Sequence, residues 1–386
     1  MSLERYLYQQ IQQDLHKKMV FVGGPRQVGK TTLAKRLLGS LSDVVLPGAV
    51  YSEESHPGYL NWDIDTDREQ ILKRKLPLAP LWVFDELHKY RKWRNFLKGL
   101  YDAKTKTQKI LVTGSARLDY YRYSGDSLQG RYHYLRLHPL SLAELQTKTQ
   151  EDLMQLLELG GFPEPFFEGS AIEAKRWSRE YRTRLIREDL VQLERVYDLG
   201  TLELLALRLP DLVGSPLSIN ALREDLQNSH KTVSNWLHIF ERLYAIFRVS
   251  PLGGAKIRAV KKEQKHYHFD WTLVPDMSKR FENLVASALL KWVQYLEDTQ
   301  GLDIELRYFR DVSGREVDFV ITRSKKVSII IECKWNDDDI SKSVRYLKNK
   351  FPEADAWQLS AIGKKDFWDP QGIRVCPARE FLATLI

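Results

Sequence analysis

One segment limits what this chain can fold into more than any other: residues 21–32, reading FVGGPRQVGKTT. It contains Gly-x-x-x-x-Gly-Lys-Thr, from Gly24 to Thr31. An apolar run (residues 19–22) leads in, and Leu33, Ala34, Leu37 and Leu38 lead out at helical spacing. A loop of this kind works only between a buried strand and the N-terminus of a helix, where backbone N–H groups and the helix dipole favour an anion. Glycine lets those N–H groups curl around phosphate oxygens without a Cβ in the way. Gly24, Pro25, Arg26, Gln27, Val28, Gly29, Lys30, Thr31 and Thr32 are therefore the expected lining of a phosphate cradle. Lys30 is placed to reach the β- and γ-phosphates of ATP, and Thr31 to put its hydroxyl on Mg²⁺.

The second half of such a site is expected some 55 residues on, at Leu81-Trp82-Val83-Phe84-Asp85-Glu86. Four apolar residues suit a parallel strand buried on both faces. Its end delivers Asp85 to the Mg²⁺ shell and Glu86 to the attacking water. Residues 109–115 form a third apolar strand ending in small hydroxyl residues. Thr113 and Ser115 are both candidates for sensing the γ-phosphate, with Ser115 preferred. Arg131, just before the strand-like residues 132–137, is the first choice for an arginine that assists a neighbouring subunit's phosphate, and Arg117 the second. A surface ion pair is the rival reading for either arginine.

At 386 residues the chain exceeds a single ordinary core. A net charge of +8 with 43% hydrophobic residues describes a globular chain suited to an anionic partner, DNA first among them. The two cysteines, Cys333 and Cys376, form no disulfide or metal-ligand pattern. Residues 1–18 lack an apolar signal core, and no run has the length to span a bilayer. The expectation is a cytoplasmic protein without membrane contact.

The order GPRQVGKTTL, WVFDELHKYRKW, LVTGSARL and GRYHYLRLHPLSLAEL resembles the AAA+ ATPases of a bacterial and archaeal family. In that family the ATPase is fused to a C-terminal domain of formally unknown function. PLSLAEL at residues 139–145 and GGFPEPF at 160–166 also fit it, and the resemblance runs over nearly the whole chain. It implies an AAA+ core over residues 1–146 that works as a homo-oligomer, and a helical lid and connector over 147–210.

Residues 211–272 read as a winged helix. A short helix over 219–226 and a turn lead to Ser229, which caps a second helix from 230 to 243. Val233, Trp236, Leu237, Phe240 and Leu243 share its inner face; Lys231, Ser234, Asn235 and His238 share the outer one. Small polar and basic residues there suit a DNA groove. A hairpin over 245–249 and 257–269 carries Lys256, Arg258, Lys261, Lys262, Lys265, His266 and His268, and is expected to lie on a duplex backbone as a wing. Packing against protein is the rival role.

Residues 273–386 are expected to form an α/β domain. Residues 315–322 and 327–334 alternate as strands around a turn at 324–326. Folding the hairpin about Lys325 sets 317 opposite 333, 319 opposite 331 and 321 opposite 329, and puts Asp318 opposite Glu332 with Lys334 on the same face. Facing carboxylates repel unless a cation sits between them, and Mg²⁺ or Mn²⁺ is the natural occupant. Asp-x(n)-Glu-x-Lys resembles the PD-(D/E)XK nuclease core. That resemblance implies Asp318 and Glu332 as metal ligands, Glu282 on a preceding helix completing the shell, and Lys334 orienting the attacking water. Residues 270–273, Asp-Trp-Thr-Leu, depart from the Asp-Thr-Gly frequent in the family.

The whole reads as an α/β chain: a P-loop AAA+ core with helical lid, a winged helix, and a PD-(D/E)XK nuclease-like domain. The expected function is an ATP-hydrolysing, DNA-acting protein whose tail cuts or grips DNA with Mg²⁺. The alternative is a nucleotide-switched regulator or scaffold whose tail binds a partner without catalysis.

Overall fold

The computed structural model describes residues 3–45, 56–114, 128–146, 148–190, 198–253 and 263–386. They divide into two compact units, residues 1–138 and 139–386.

The first unit is built on five strands: β1 (Met19–Gly23), β2 (Tyr59–Asn61), β3 (Leu81–Asp85), β4 (Lys109–Thr113) and β5 (Tyr132–Arg136). They lie in the order β2-β3-β4-β1-β5, and every pairing is parallel. β1 and β4 read as near-continuous apolar runs because helices cover both faces of such a sheet. Helix Trp93–Ala103 packs by Trp93, Phe96 and Leu97, one apolar stripe at i, i+3, i+4. They join Phe21, Phe84, Ile110 and Val112 in one core. Phe84 and Phe96 meet edge to face at 5.6 Å. Each such ring, fully buried, stabilises the unit by roughly 1.5–3 kcal/mol.

The parallel arrangement brings the C-terminal ends of β1, β3 and β4 to one edge. Ligands of open parallel sheets bind at that edge. Lys30 opens helix Lys30–Val45 immediately after the loop that leaves β1.

The second unit has nine strands: β6 (Pro216–Leu217), β7 (Ile246–Pro251), β8 (Gln264–His268), β9 (Ile304–Arg310), β10 (Glu316–Arg323), β11 (Lys326–Lys334), β12 (Asp355–Ser360), β13 (Phe367–Trp368) and β14 (Ile373–Pro377). They form a single sheet ordered β13-β14-β12-β11-β10-β9-β7-β8-β6. The division expected at 272/273 therefore does not divide the sheet. β7 pairs in parallel with β9, Ser250 with Arg307 and Pro251 with Tyr308. The hairpin assigned to a separate wing extends the same sheet that carries β10 and β11. Helix Met277–Gln300 lies across it, with Phe281, Leu284, Val285 and Leu289 buried.

Among the described residues no helix is long and apolar enough to cross a membrane.

Candidate functional site

The P-loop forms as its sequence demands. Gly24 has φ +138°, and a Cβ there would lie 2.2 Å from the Leu137 carbonyl oxygen, so only glycine fits. Gly29 takes φ 95° and Gln27 φ 57°, both left-handed. Lys30 is buried, and its Nζ donates to the carbonyls of Gly24 (3.0 Å) and Pro25 (2.5 Å), bracing the loop from inside. Arg5, which sequence reasoning passed over, donates to Val28 O (2.6 Å) and to His138 O. It ties the loop to the segment after β5; an arginine in an amphipathic N-terminal segment gives no sign of this.

Asp85 gathers three hydroxyls. Thr31 Oγ1 and Tyr59 OH donate to its Oδ2, each at 2.7 Å, and Thr113 Oγ1 donates to Oδ1 at 2.6 Å. Thr31 and Asp85 thus meet as the motif requires, and their adjacent oxygens are the hard donors Mg²⁺ takes. Thr113, one of the two sensing candidates, has its hydroxyl engaged with Asp85. Tyr59 is the residue the sequence hid: it stands on β2, next to a polar, turn-rich stretch without a motif. Burial, and then the Asp85 charge, push its hydroxyl pKa upward, so it stays a donor.

Glu86 takes φ 56°, left-handed, at the head of the turn Leu87–Lys89. A non-glycine residue held there costs about 1 kcal/mol and is characteristic of functional sites. Its N–H donates to Thr113 O (3.1 Å). Its carboxylate lies 3.3 Å from Lys89 Nζ and 3.5 Å from His88 Nε2. Burial raises its pKa, the Asp85 charge adds to that, and Lys89 opposes it.

Arg131 forms a two-point pair with Asp102, Nε to Oδ1 at 2.9 Å and Nη2 to Oδ2 at 3.3 Å. The preferred sensor Ser115 and the second-choice Arg117 lie outside the described residues.

In the second unit the β10–β11 register matches expectation at its centre: Phe319 faces Ile331, Val320 faces Ile330 and Ile321 faces Ile329. The turn differs. Ser324 (φ 48°) and Lys325 (φ 66°) form a two-residue connection, so Arg323 faces Lys326 and Thr322 faces Val327. Both φ values are positive, the sign a tight two-residue hairpin turn requires. A bulge between Ile321 and Thr322 absorbs the offset and restores the expected register from Ile321 to Phe319, the residue next to Asp318.

The four residues singled out there come together. Lys334 Nζ donates to Glu332 Oε1 (2.9 Å), and Asp318 Oδ2 accepts from Cys333 N (2.9 Å). Glu282, on helix Met277–Gln300, accepts from Tyr267 OH (2.7 Å). Burial, and then the Asp318 charge, raise Glu282 to about 8 and Glu332 to about 7. Glu332 Oε2 is buried and meets no donor. Among the described residues no three His, Cys, Asp or Glu side chains form a ready metal-binding group. What the cluster offers a cation is the uncapped oxygen of Glu332 beside Asp318.

One expectation for the basic hairpin needs correction. Lys265, His266 and His268 are buried, with Lys265 and His266 fully so, and none lies on a surface a duplex could touch. β8 has sheet on both sides and protein on both faces, so its polar residues point into the interior. His266 Nε2 sits 2.9 Å from Leu209 O. Lys256, Arg258, Lys261 and Lys262 lie outside the described residues.

Burial lowers His266 to about 4 and His268 to about 3, so both are held neutral. A group depressed from its ordinary value near 6.5 contributes stability that is complete above that value. The contribution is lost as pH falls toward the folded value. The Tm difference between the wild type and His266→Gln should therefore be largest near pH 7 and shrink progressively toward pH 4. A difference independent of pH would show that the imidazole titrates alike in the folded and unfolded chain and is not held neutral by burial.

The helical pair is as read. Ile219–Asp225 precedes His230–Arg242, and the Ser229 side chain accepts from Thr232 N. Val233, Trp236, Leu237 and Phe240 are buried, while Lys231, Asn235 and His238 are exposed and Ser234 half-buried. Asp270 of the departing Asp-Trp-Thr-Leu segment is buried. It accepts hydrogen bonds from Ser178 and Thr272 and so fixes the turn before Glu282's helix.

Comparison with known proteins matches three family models in succession along the chain. Residues 16–146 match the family model described as an AAA domain. Residues 150–284 and 278–381 match two models described as domains of unknown function (DUF8612 and DUF4143). Uncharacterized proteins of Mycobacterium bovis and Mycobacterium tuberculosis are each 24% identical over 336 residues, covering 82% of this chain and 73% of theirs. AMPPCP-bound DnaA from Aquifex aeolicus aligns at TM-score 0.29 and 14% identity, over 61% of this chain and 86% of its own. Bacteroides Pif1 bound to single-stranded DNA aligns at TM-score 0.20 and 15% identity, over 44% and 49%. The AAA match falls on the unit that carries the cradle and the Thr31–Asp85 contact, and that unit's five-stranded parallel sheet resembles AAA-type P-loop cores.

Proposed function

We propose that this chain binds Mg²⁺-ATP at the P-loop, hydrolyses it with Glu86 as general base, and uses the cycle to govern a DNA-acting second unit. The contact between Thr31 and Asp85, at the mouth of a loop braced by Lys30, carries the first part. In this reading Thr31 and Asp85 would hold Mg²⁺, which would supply Lewis acidity toward the phosphates. Lys30 and the N–H groups of residues 24–32 hold the phosphates themselves. Tyr59 and Thr113 keep the Asp85 carboxylate aimed. A homo-oligomer in which Arg131 assists a neighbour's phosphate requires that residue to exchange Asp102 for the phosphate.

Support for the DNA part is the +8 net charge and the exposed Lys231, Asn235 and His238. The buried, uncapped Glu332 oxygen favours a second reading alongside it. The cluster of Glu282, Asp318, Glu332 and Lys334 takes a divalent ion as a nuclease-like centre. There Asp318 and Glu332 would hold the ion, which would supply Lewis acidity toward a phosphodiester.

Incubating the full chain with supercoiled plasmid, Mg²⁺ or Mn²⁺, and ATP or none tests both parts at once. Metal-dependent phosphate release and plasmid relaxation that requires metal are the expected results. Phosphate release with an untouched and unbound plasmid would leave an ATPase whose second unit serves another partner. No release, with or without DNA, would sink the reading.

A further inference from the structure

Lys265 has no surface to reach. It is 0% exposed, on a strand covered on both faces. Its Nζ lies 2.6 Å from Glu316 Oε1, 3.4 Å from Glu282 Oε1 and 3.5 Å from Asp318 Oδ1. The Tyr308 ring sits 5.5 Å from it. These partners come from separate elements: Glu282 from helix Met277–Gln300, and Glu316 and Asp318 from alternate positions of β10. Tyr267, two residues on along β8, donates to the same Glu282 oxygen. One edge of the β7–β8 hairpin thus inserts an ammonium and a phenol among acids that sequence distance gives no reason to associate.

Charge decides what that ammonium does. Glu282, Glu316, Asp318 and Glu332 bring four carboxylates together, against Lys265, Lys334 and, 3.8 Å from Glu316 Oε2, the guanidinium of Arg310. When all are ionised a net negative charge remains, on the side of the cluster away from Lys265 and Arg310. Buried charge without a counter-charge is costly, so the acids on that side, with Glu332 Oε2 buried and meeting no donor, favour a cation. The ammonium already occupies the side of Glu282 and Glu316; the open side is at Glu332 Oε2, which meets no donor.

We propose that Lys265 is a built-in cation of this cluster, standing where a second metal ion would otherwise be needed, so that the site takes a single divalent ion on the Asp318–Glu332 side. The proposal rests on the reading of the cluster as a cation site. The lysine is a positioning residue, holding Glu282 and Asp318 together without touching substrate.

The test follows free Mn²⁺ by its EPR signal in full-length, nucleotide-free protein. All variants carry Thr31→Ala and Asp85→Asn, so that the P-loop contributes no ion. With Lys265 present, binding of one Mn²⁺ per chain is expected, lost in Glu332→Gln. Lys265→Met removes a positive charge a few ångströms away and should tighten Mn²⁺ binding by about tenfold or more. In chelator the same variant should lose roughly 10 °C in Tm, and Mn²⁺ should restore much of it. If Lys265→Met does not fold, the comparison is made between Glu282→Gln and Lys265→Met/Glu282→Gln, where one charge of each sign is removed. Mn²⁺ bound as tightly with Lys265 as without it overturns the assignment of the lysine and leaves the cation site standing. Mn²⁺ bound by neither overturns the cation site itself, and the proposal with it.

Discussion

Lys30→Met should cost the chain its ATP affinity by about 10²-fold or more while leaving the fold of both units intact. The ammonium has two tasks in the structure. It donates to the Gly24 and Pro25 carbonyls, which holds the loop open, and it is the charge nearest the place where phosphates must lie. A hydrogen bond between charged groups contributes about 1.5–3 kcal/mol, and a lysine that reaches two phosphate groups makes at least one such bond. Every 1.4 kcal/mol is about a factor of ten in affinity. Methionine keeps the buried stem of the side chain, so what is lost is the charge and its hydrogen bonds rather than packing. Alanine should be worse, because it also empties the space beneath the loop. Titration with a fluorescent ATP analogue and Mg²⁺ gives the affinity, and far-UV circular dichroism checks the fold. An affinity unchanged in Lys30→Met would mean that nucleotide, if it binds, binds elsewhere.

How this site reads from sequence alone depends on how local its physics is. The P-loop is a contiguous segment whose spacing is set by one anion, and β3 announces itself because a strand buried on both faces must be apolar. The hairpin of β10 and β11 was equally open, since period-two alternation fixes which residues share a face; its turn was one residue shorter than expected, and the bulge repaired the difference. Tyr59 was hidden because only the pairing of β2 with β3 brings it to Asp85. Lys265 was misread for a related reason. A lysine between a glutamine and a histidine looks solvated, and nothing local reveals that three acids 17 to 53 residues away meet it inside the protein. The continuity of the second sheet was invisible too. It hangs on the parallel contact of Ser250 and Pro251 with Arg307 and Tyr308, and parallel partners leave no short-range signature.

Glu86→Gln should separate binding from turnover. The side chain is at the end of β3 in a left-handed backbone conformation that turns it away from the strand axis, next to Asp85 but not among the hydroxyls that Asp85 holds. It is partly screened from water, and burial has raised its pKa, which makes it a stronger base than an exposed carboxylate. Lys89 and His88 flank it and fix its direction. Glutamine preserves the shape and can still accept from Lys89, yet it cannot take a proton from water. ATP affinity should stay within a few-fold of the wild type, while turnover should fall by about 10²–10⁴, the contribution of a positioned general base. Radiolabelled ATP that stays bound and uncleaved would be its signature. Asp85→Asn should behave differently: it disturbs the Thr31 and Tyr59 hydrogen bonds and the metal shell together, so affinity for Mg²⁺-ATP should fall with turnover. If Glu86→Gln hydrolyses ATP at the wild-type rate, the base is another group.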